Sequence, residues 1–184
     1  MGGGGVAKLL DGSASFGPSI AAGLAANGVI KGTADYESFL GAAQTVVDSG
    51  DPINHATAAA TGRGILFFEV IGGSGSPSDL VVPNRVPDGN DTSGTIAAPL
   101  SGTDPLVGVD ADIANTGLGL TQYDTSAAGP ALKALVRYTA GDHGSILSPA
   151  ANATVTTEMQ TQAAGFVLTG NLAVTPATGV IAAP

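Results

Sequence analysis

The run Gly64-Ile65-Leu66-Phe67-Phe68-Glu69-Val70-Ile71-Gly72 constrains the fold more than any other segment of the chain. Its hydrophobicity is nearly continuous rather than alternating, the pattern of a strand covered on both faces in a parallel sheet. A second such segment spans residues 132–139, Leu132-Lys133-Ala134-Leu135-Val136-Arg137-Tyr138-Thr139. Two buried strands cannot form a stable sheet alone, because their other edges and faces need partners. The chain therefore reads as α/β, with earlier sheet strands missing and supplied by upstream sequence or by another chain.

Helical signals surround the strands. Gly17-Pro18 opens a short helix, with Pro18 where a missing N–H costs nothing and Asn27-Gly28 as the stop. Thr33 can cap a second helix, in which Tyr36, Phe39, Leu40, Ala43, Val46 and Val47 recur at helical spacing. Asp48-Ser49-Gly50-Asp51-Pro52 reads as its end. After the second strand, Ser148-Pro149 is expected to open a helix with Val155, Met159, Ala163, Phe166 and Val167 on one stripe and Gly170 as its stop. Residues 1–62 thus read as a cap-like helical region and 63–170 as the core. Within the core, 85–130 reads as a long irregular excursion. Residues 171–184 read as an extended tail or the start of a further domain.

Composition excludes several function classes. With 43% hydrophobic residues and only 11% charged, the chain lacks the low hydrophobicity of a disordered protein. A net charge of -9 argues against nucleic-acid binding and against docking on anionic membranes. No stretch approaches the roughly 18 apolar residues of a transmembrane segment. Absence of cysteine excludes thiolate metal sites and disulfides. The start, Met1-Gly2-Gly3-Gly4-Gly5, shows no signal peptide and reads as the middle of a longer chain or an expression boundary.

The segment Gly141-Asp142-His143-Gly144-Ser145 lies just past the second strand, in the loop before the last helix. Ligands of parallel sheets collect outside the carboxyl ends of strands, and a loop histidine there is placed to act as a general base. Asp79, in the loop after the first strand, is the best-placed acid to orient it. Asp142 is adjacent in sequence, but neighbouring loop side chains diverge. The nucleophile of such a triad sits in Gly-x-Ser-x-Gly at a strand-to-helix turn. No such pentapeptide occurs. Gly72-Gly73-Ser74-Gly75-Ser76 and Gly12-Ser13-Ala14-Ser15-Phe16-Gly17 both miss the pattern and read as turns.

Several blocks together resemble the carboxyl-terminal portion of bacterial extracellular α/β-hydrolase lipases, the virulence-factor lipase and lysophospholipase type. They are Leu9-Leu10-Asp11-Gly12-Ser13, Phe67-Phe68-Glu69-Val70-Ile71-Gly72 with Asp79-Leu80-Val81-Val82-Pro83-Asn84, Val136-Arg137-Tyr138-Thr139-Ala140-Gly141-Asp142-His143-Gly144-Ser145, and Glu158-Met159-Gln160. The resemblance implies a partial α/β-hydrolase fold, a triad acid at Asp79 and a triad base at His143. It implies an ester or lipid substrate, an acyl chain received around Ile20, Leu24, Phe39 and Leu40, and an extracellular or cell-surface location. The serine and its elbow are absent from this chain, so by itself it is expected to be nearly inert. The alternative is a non-catalytic structural or assembly module that pairs with another chain.

No cofactor is expected. Asp88, Asp91, Asp104, Asp110 and Asp112 carry oxygen ligands of the kind a structural Ca²⁺ takes, but their spacing fits no EF-hand loop, and solvated turn acids are the reading. His55 reads as a packing or capping residue. Two distant histidines without cysteine do not make a zinc site.

Overall fold

The structure, a computed structural model, describes residues 3–86, 100–108, 117–175 and 178–184. Three parallel strands form a small open sheet in the order β1-β3-β2: β1 Ile65–Val70, β2 Thr121–Gln122 and β3 Lys133–Tyr138. Strand β3 is central and pairs with β1 from Ile65↔Lys133 to Val70↔Tyr138. The helices are α1 Val6–Gly12, α2 Gly17–Ala25, α3 Ala34–Val47, α4 Pro52–Ala59, α5 Thr103–Val107 and α6 Ala153–Thr169.

Alternation along the strands sends two sets of side chains to opposite faces. Leu66, Phe68, Val70, Ala134, Val136 and Tyr138 pack against Val155, Met159 and Phe166 of α6. Ile65, Phe67 and Leu135 pack against Ile53 and Ala56 of α4, Leu106 and Val107 of α5, and Leu118 and Leu120. Both faces are thus covered, as the continuous hydrophobic runs require. The four leading residues of β1 are nevertheless only half-buried, whereas Ala134, Leu135 and Val136 are inaccessible. The difference follows from position, since β1 is an edge strand and β3 has neighbours on both sides.

In the helical region, Thr33 accepts the Tyr36 N–H and caps α3, and Pro18 stands in the first turn of α2. Two helices of this region, α1 and α4, escaped the reading of the sequence. Helix α3 ends at Val47 and passes into a 3-10 turn at Asp48–Gly50, and Asp51-Pro52 starts α4, because an Asp N-cap followed by Pro is itself a helix-opening signal. The Asp51 carboxylate, fully buried, accepts the Gly5, Val6 and Ile53 N–H groups and the Gln44 amide. It therefore serves the amino ends of α1 and α4 together.

The glycine run Gly3–Gly5 is packed into the fold. Gly3, Gly4 and Gly5 are buried, and Gly4 exchanges backbone hydrogen bonds with Gly102 at 2.9 and 3.1 Å. Gly5 has φ 60°, and a Cβ there would meet the Ser101 Oγ at 2.3 Å. Side chains are excluded by close backbone packing.

Four other expectations need correction. The stretch 85–130 is not wholly irregular, since α5 and β2 lie in it; its residues 87–99 and 109–116 are outside the described residues. Helix α6 starts not at Ser148-Pro149 but after Asn152, whose side chain accepts the Thr154 and Val155 N–H groups as an N-cap. Val167 is not on the buried stripe: it is 84% exposed, beside Leu168 at 82%. Finally, the tail is part of this core. Leu172, Val174 and Val180 are buried with Tyr138 and Met159, and Thr175 donates its N–H to the buried Glu158.

Candidate acid–base site

Strands β1 and β3 run parallel, so the loops that follow them leave from the same edge of the sheet. After β1 the chain turns at Gly73–Ser76, where each of the two residues donates its N–H to the other's carbonyl. It then folds back so that the Asp79 N–H donates to the Val70 carbonyl at 3.0 Å. This anchors Asp79 to the end of its own strand.

After β3, the loop is closed by Ser145. Its Oγ accepts the Asp142 N–H at 2.7 Å and donates to Asp142 Oδ1 at 2.9 Å. Gly141 adopts φ 105°, and a Cβ on it would lie 2.8 Å from that Oγ. Asp142 therefore spends its carboxylate on its own loop, and His143, between Asp142 and Gly144, is free to reach elsewhere.

It reaches Asp79. His143 Nδ1 and Asp79 Oδ2 are 2.9 Å apart. Asp79 Oδ1 meanwhile accepts the Val81 and Val82 N–H groups at 2.8 and 3.0 Å. A carboxylate only accepts, so Nδ1 carries the hydrogen, and whenever the ring is neutral Nε2 is left as a bare acceptor. The Asp79 side chain is 2% exposed and that of His143 38%. The acid is enclosed and fixed by three hydrogen bonds, while the base faces outward. That division is what an orienting acid and a working base require.

The serines near the missed motifs do other work. Ser13 is buried, donates to the Leu80 carbonyl and accepts the Phe16 N–H. It ties the α1–α2 junction to the Asp79 loop. Ser74 sits inside the Gly73–Ser76 turn.

Sequence reasoning missed a second charged group at this edge. Arg137 of β3 pairs with Glu69 of β1 at 2.7 Å and with Asp104 of α5 at 2.6 Å. Adjacent register positions 69 and 137 on paired strands were its only signal. Asp104, expected as a solvated turn acid, is thus an ion-pair partner. Asp88, Asp91, Asp110 and Asp112 lie outside the described residues, among which no group of three or more His, Asp or Glu could hold a metal ion. His55 Nε2 lies 2.8 Å from the Ser49 carbonyl, a local capping contact.

Of the residues expected around an acyl chain, Leu40 is buried, Ile20 and Leu24 are half-buried and Phe39 is exposed. Leu40 borders a 410 Å³ cavity whose lining mixes Ile53 and Leu100 with Lys8, Glu37 and Gln44. Among the described residues, no helix is long and apolar enough to cross a membrane. No family model, curated protein or solved structure matches this chain.

Proposed function

We propose that this chain is the acid–base part of a serine carboxylic-ester hydrolase of the lipase or esterase type, acting on an ester or lipid outside the cell or at its surface. The carrying observation is the 2.9 Å pairing of His143 Nδ1 with a buried Asp79 that is itself fixed by backbone N–H groups. The blocks resembling extracellular α/β-hydrolase lipases supply the substrate class and location.

In this reading the nucleophilic serine comes from polypeptide outside the chain. His143 Nε2 takes the serine proton as the serine oxygen bonds to the ester carbonyl carbon. It returns that proton to the departing alkoxide, which leaves as an alcohol. Water then repeats the cycle on the acyl-enzyme, and the carboxylic acid is released. Asp79 holds the ring and stabilises the imidazolium between the two transfers. Without the serine, turnover falls by about 10⁶.

A fluorophosphonate, which labels only an activated serine, tests this. The chain expressed with the reading frame that precedes it should be labelled, and His143→Ala should abolish labelling. Labelling that survives His143→Ala removes His143 from the mechanism. A second reading, a non-catalytic assembly module, is favoured by the open edge of β1 and by the exposed Val167 and Leu168. It predicts no labelling in any context.

A further inference from the structure

Helix α6 carries a carboxylate whose charge no described residue answers. Glu158 is only 3% exposed. Its Oε1 accepts the Gln162 amide at 2.9 Å and the Thr175 N–H at 2.7 Å. Gln162 is fixed in turn, since its own oxygen accepts the Tyr138 hydroxyl at 2.9 Å. Glu158 Oε2 has no hydrogen-bond partner among the described residues, and no Lys, Arg or His there forms an ion pair with it. Yet Oε2 is not sealed in. Among the described residues, Glu69 Oε1 is the one side-chain oxygen or nitrogen both fully enclosed and unpartnered, so Glu158 Oε2 meets open space. That space is a cavity of 320 Å³, lined by Glu158 with Ala153, Thr154, Thr157, Thr175 and Thr178. None of these residues belongs to the acid–base site.

We propose that this cavity binds the primary ammonium group of a small alkylamine, with Glu158 Oε2 as its counter-ion and threonine hydroxyls as its further acceptors. A buried carboxylate without a counter-charge is costly, and a cation offsets that cost. The net charge of -9 draws cations to the chain. The lining decides which cation fits. Calcium takes about six to eight oxygens, several of them from carboxylates, and only one carboxylate faces this cavity. A quaternary ammonium is held by aromatic faces, and no aromatic residue lines it. A primary ammonium instead presents three N–H donors and asks for three acceptors. Oε2 is the charged one, and hydroxyl lone pairs supply the rest. Thr157 Oγ1 already donates its hydrogen to the Ala153 carbonyl at 3.0 Å, which leaves it to accept. The threonine methyls and Ala153 offer a wall for a short alkyl chain. A bare ion would leave most of the 320 Å³ to water, at about 30 Å³ per molecule, whereas an amine of several heavy atoms fills it.

Titration of the chain with n-butylammonium chloride, at neutral pH and fixed ionic strength, tests this by amide NMR. The Thr154, Thr157 and Thr178 signals should shift saturably. Potassium and tetramethylammonium, which carry no N–H, should not saturate them. Glu158→Gln keeps an oxygen for Gln162 and Thr175 but removes the charge, and should weaken binding by about 10-fold or more. Thr157→Val leaves the carboxylate in place and should weaken it by roughly 2- to 10-fold, which keeps the test open should Glu158→Gln fail to fold. Absence of saturable shifts with butylammonium overturns the proposal, as does equal saturation by potassium or tetramethylammonium. Unchanged affinity in folded Glu158→Gln, or in Thr157→Val, overturns it too. The same group occurs on a lysine side chain, and Nα-acetyl-lysine methylamide separates the two sources. Binding as tight as that of butylammonium supports a partner's lysine at the site, and weaker binding supports a free amine.

Discussion

Asp79 and His143 stand 64 positions apart in the chain, yet Asp79 Oδ2 lies 2.9 Å from His143 Nδ1, with the acid enclosed and the base half-open. The parallel pairing of β1 and β3 makes this meeting possible, since it brings both following loops to one edge. Two local devices complete it: the Asp79 N–H bonded to Val70, and the Ser145 clasp on the His143 loop.

The ring tautomer of His143 follows from that contact. Nitrogen NMR of the chain at a pH where the ring is neutral should show the hydrogen on Nδ1 and a bare Nε2. In Asp79→Asn the side-chain amide can donate as well as accept, and the tautomers should mix. A wild-type ring already protonated at Nε2 would mean that Asp79 does not orient it.

Gly141→Ala should disturb the site through the backbone. The residue is held at φ 105°, and the new methyl would press on the Ser145 Oγ at 2.8 Å and on Val155 at 3.1 Å. Urea denaturation should show a loss of about 1–3 kcal/mol, the range for strain at a position that excludes a side chain. The His143 ring signals should shift as well. Ser145→Ala should loosen the same loop with a smaller loss, on the order of 1 kcal/mol for its hydrogen bonds.

Asp51→Ala should be among the more damaging changes in the helical region. It strips caps from α1 and α4 and leaves the Gln44 amide and three backbone N–H groups without their acceptor. A loss of roughly 2–4 kcal/mol is expected from one capping carboxylate shared by two helices. Asp51→Asn should recover part of it, because its amide oxygen still accepts. Equal stability of Asp51→Ala and wild type in urea would deny the shared cap.

Tyr36 predicts an alkaline limb. Its phenol, buried in α3 and donating to Asp11 Oδ1 at 2.5 Å, is pushed up from 10.0 to about 12 by burial first and by Asp11 second. Because the folded value is the raised one, this stabilisation is complete below pH 10. It is lost between pH 10 and about 12, where the unfolded phenol ionises first. Tyr36→Phe should be less stable near neutrality and should flatten the decline above pH 10. A wild-type limb no steeper than that of Tyr36→Phe would remove Tyr36 as its source.

Much of this arrangement was legible in the residues, for identifiable reasons. Ile65-Leu66-Phe67-Phe68 and Ala134-Leu135-Val136 announce strands because an apolar run that short has few other solutions. Thr33 and Gly170 mark helix ends by local chemistry alone. Asp79 and His143 could be paired on paper because parallel strands gather their following loops on one side. What escaped depends on distant partners. Strand β2 is two residues long and exists because β3 is beside it. The burial of Leu172, Val174 and Val180 is set by α6 and Tyr138, not by periodicity in the tail. Asp51-Pro52, which reads as part of a stop, is the start of α4. The Gly3–Gly5 run is explained by a backbone contact with Gly102 nearly a hundred positions away.

The most direct measurement is steady-state hydrolysis of p-nitrophenyl butyrate by the chain expressed with its preceding reading frame, comparing wild type with His143→Ala and Asp79→Asn. An oriented base predicts falls in kcat of about 10⁶ for His143→Ala and roughly 10⁴ for Asp79→Asn, with KM little changed. A wild-type rate in His143→Ala would contradict the assignment of His143 as the catalytic base.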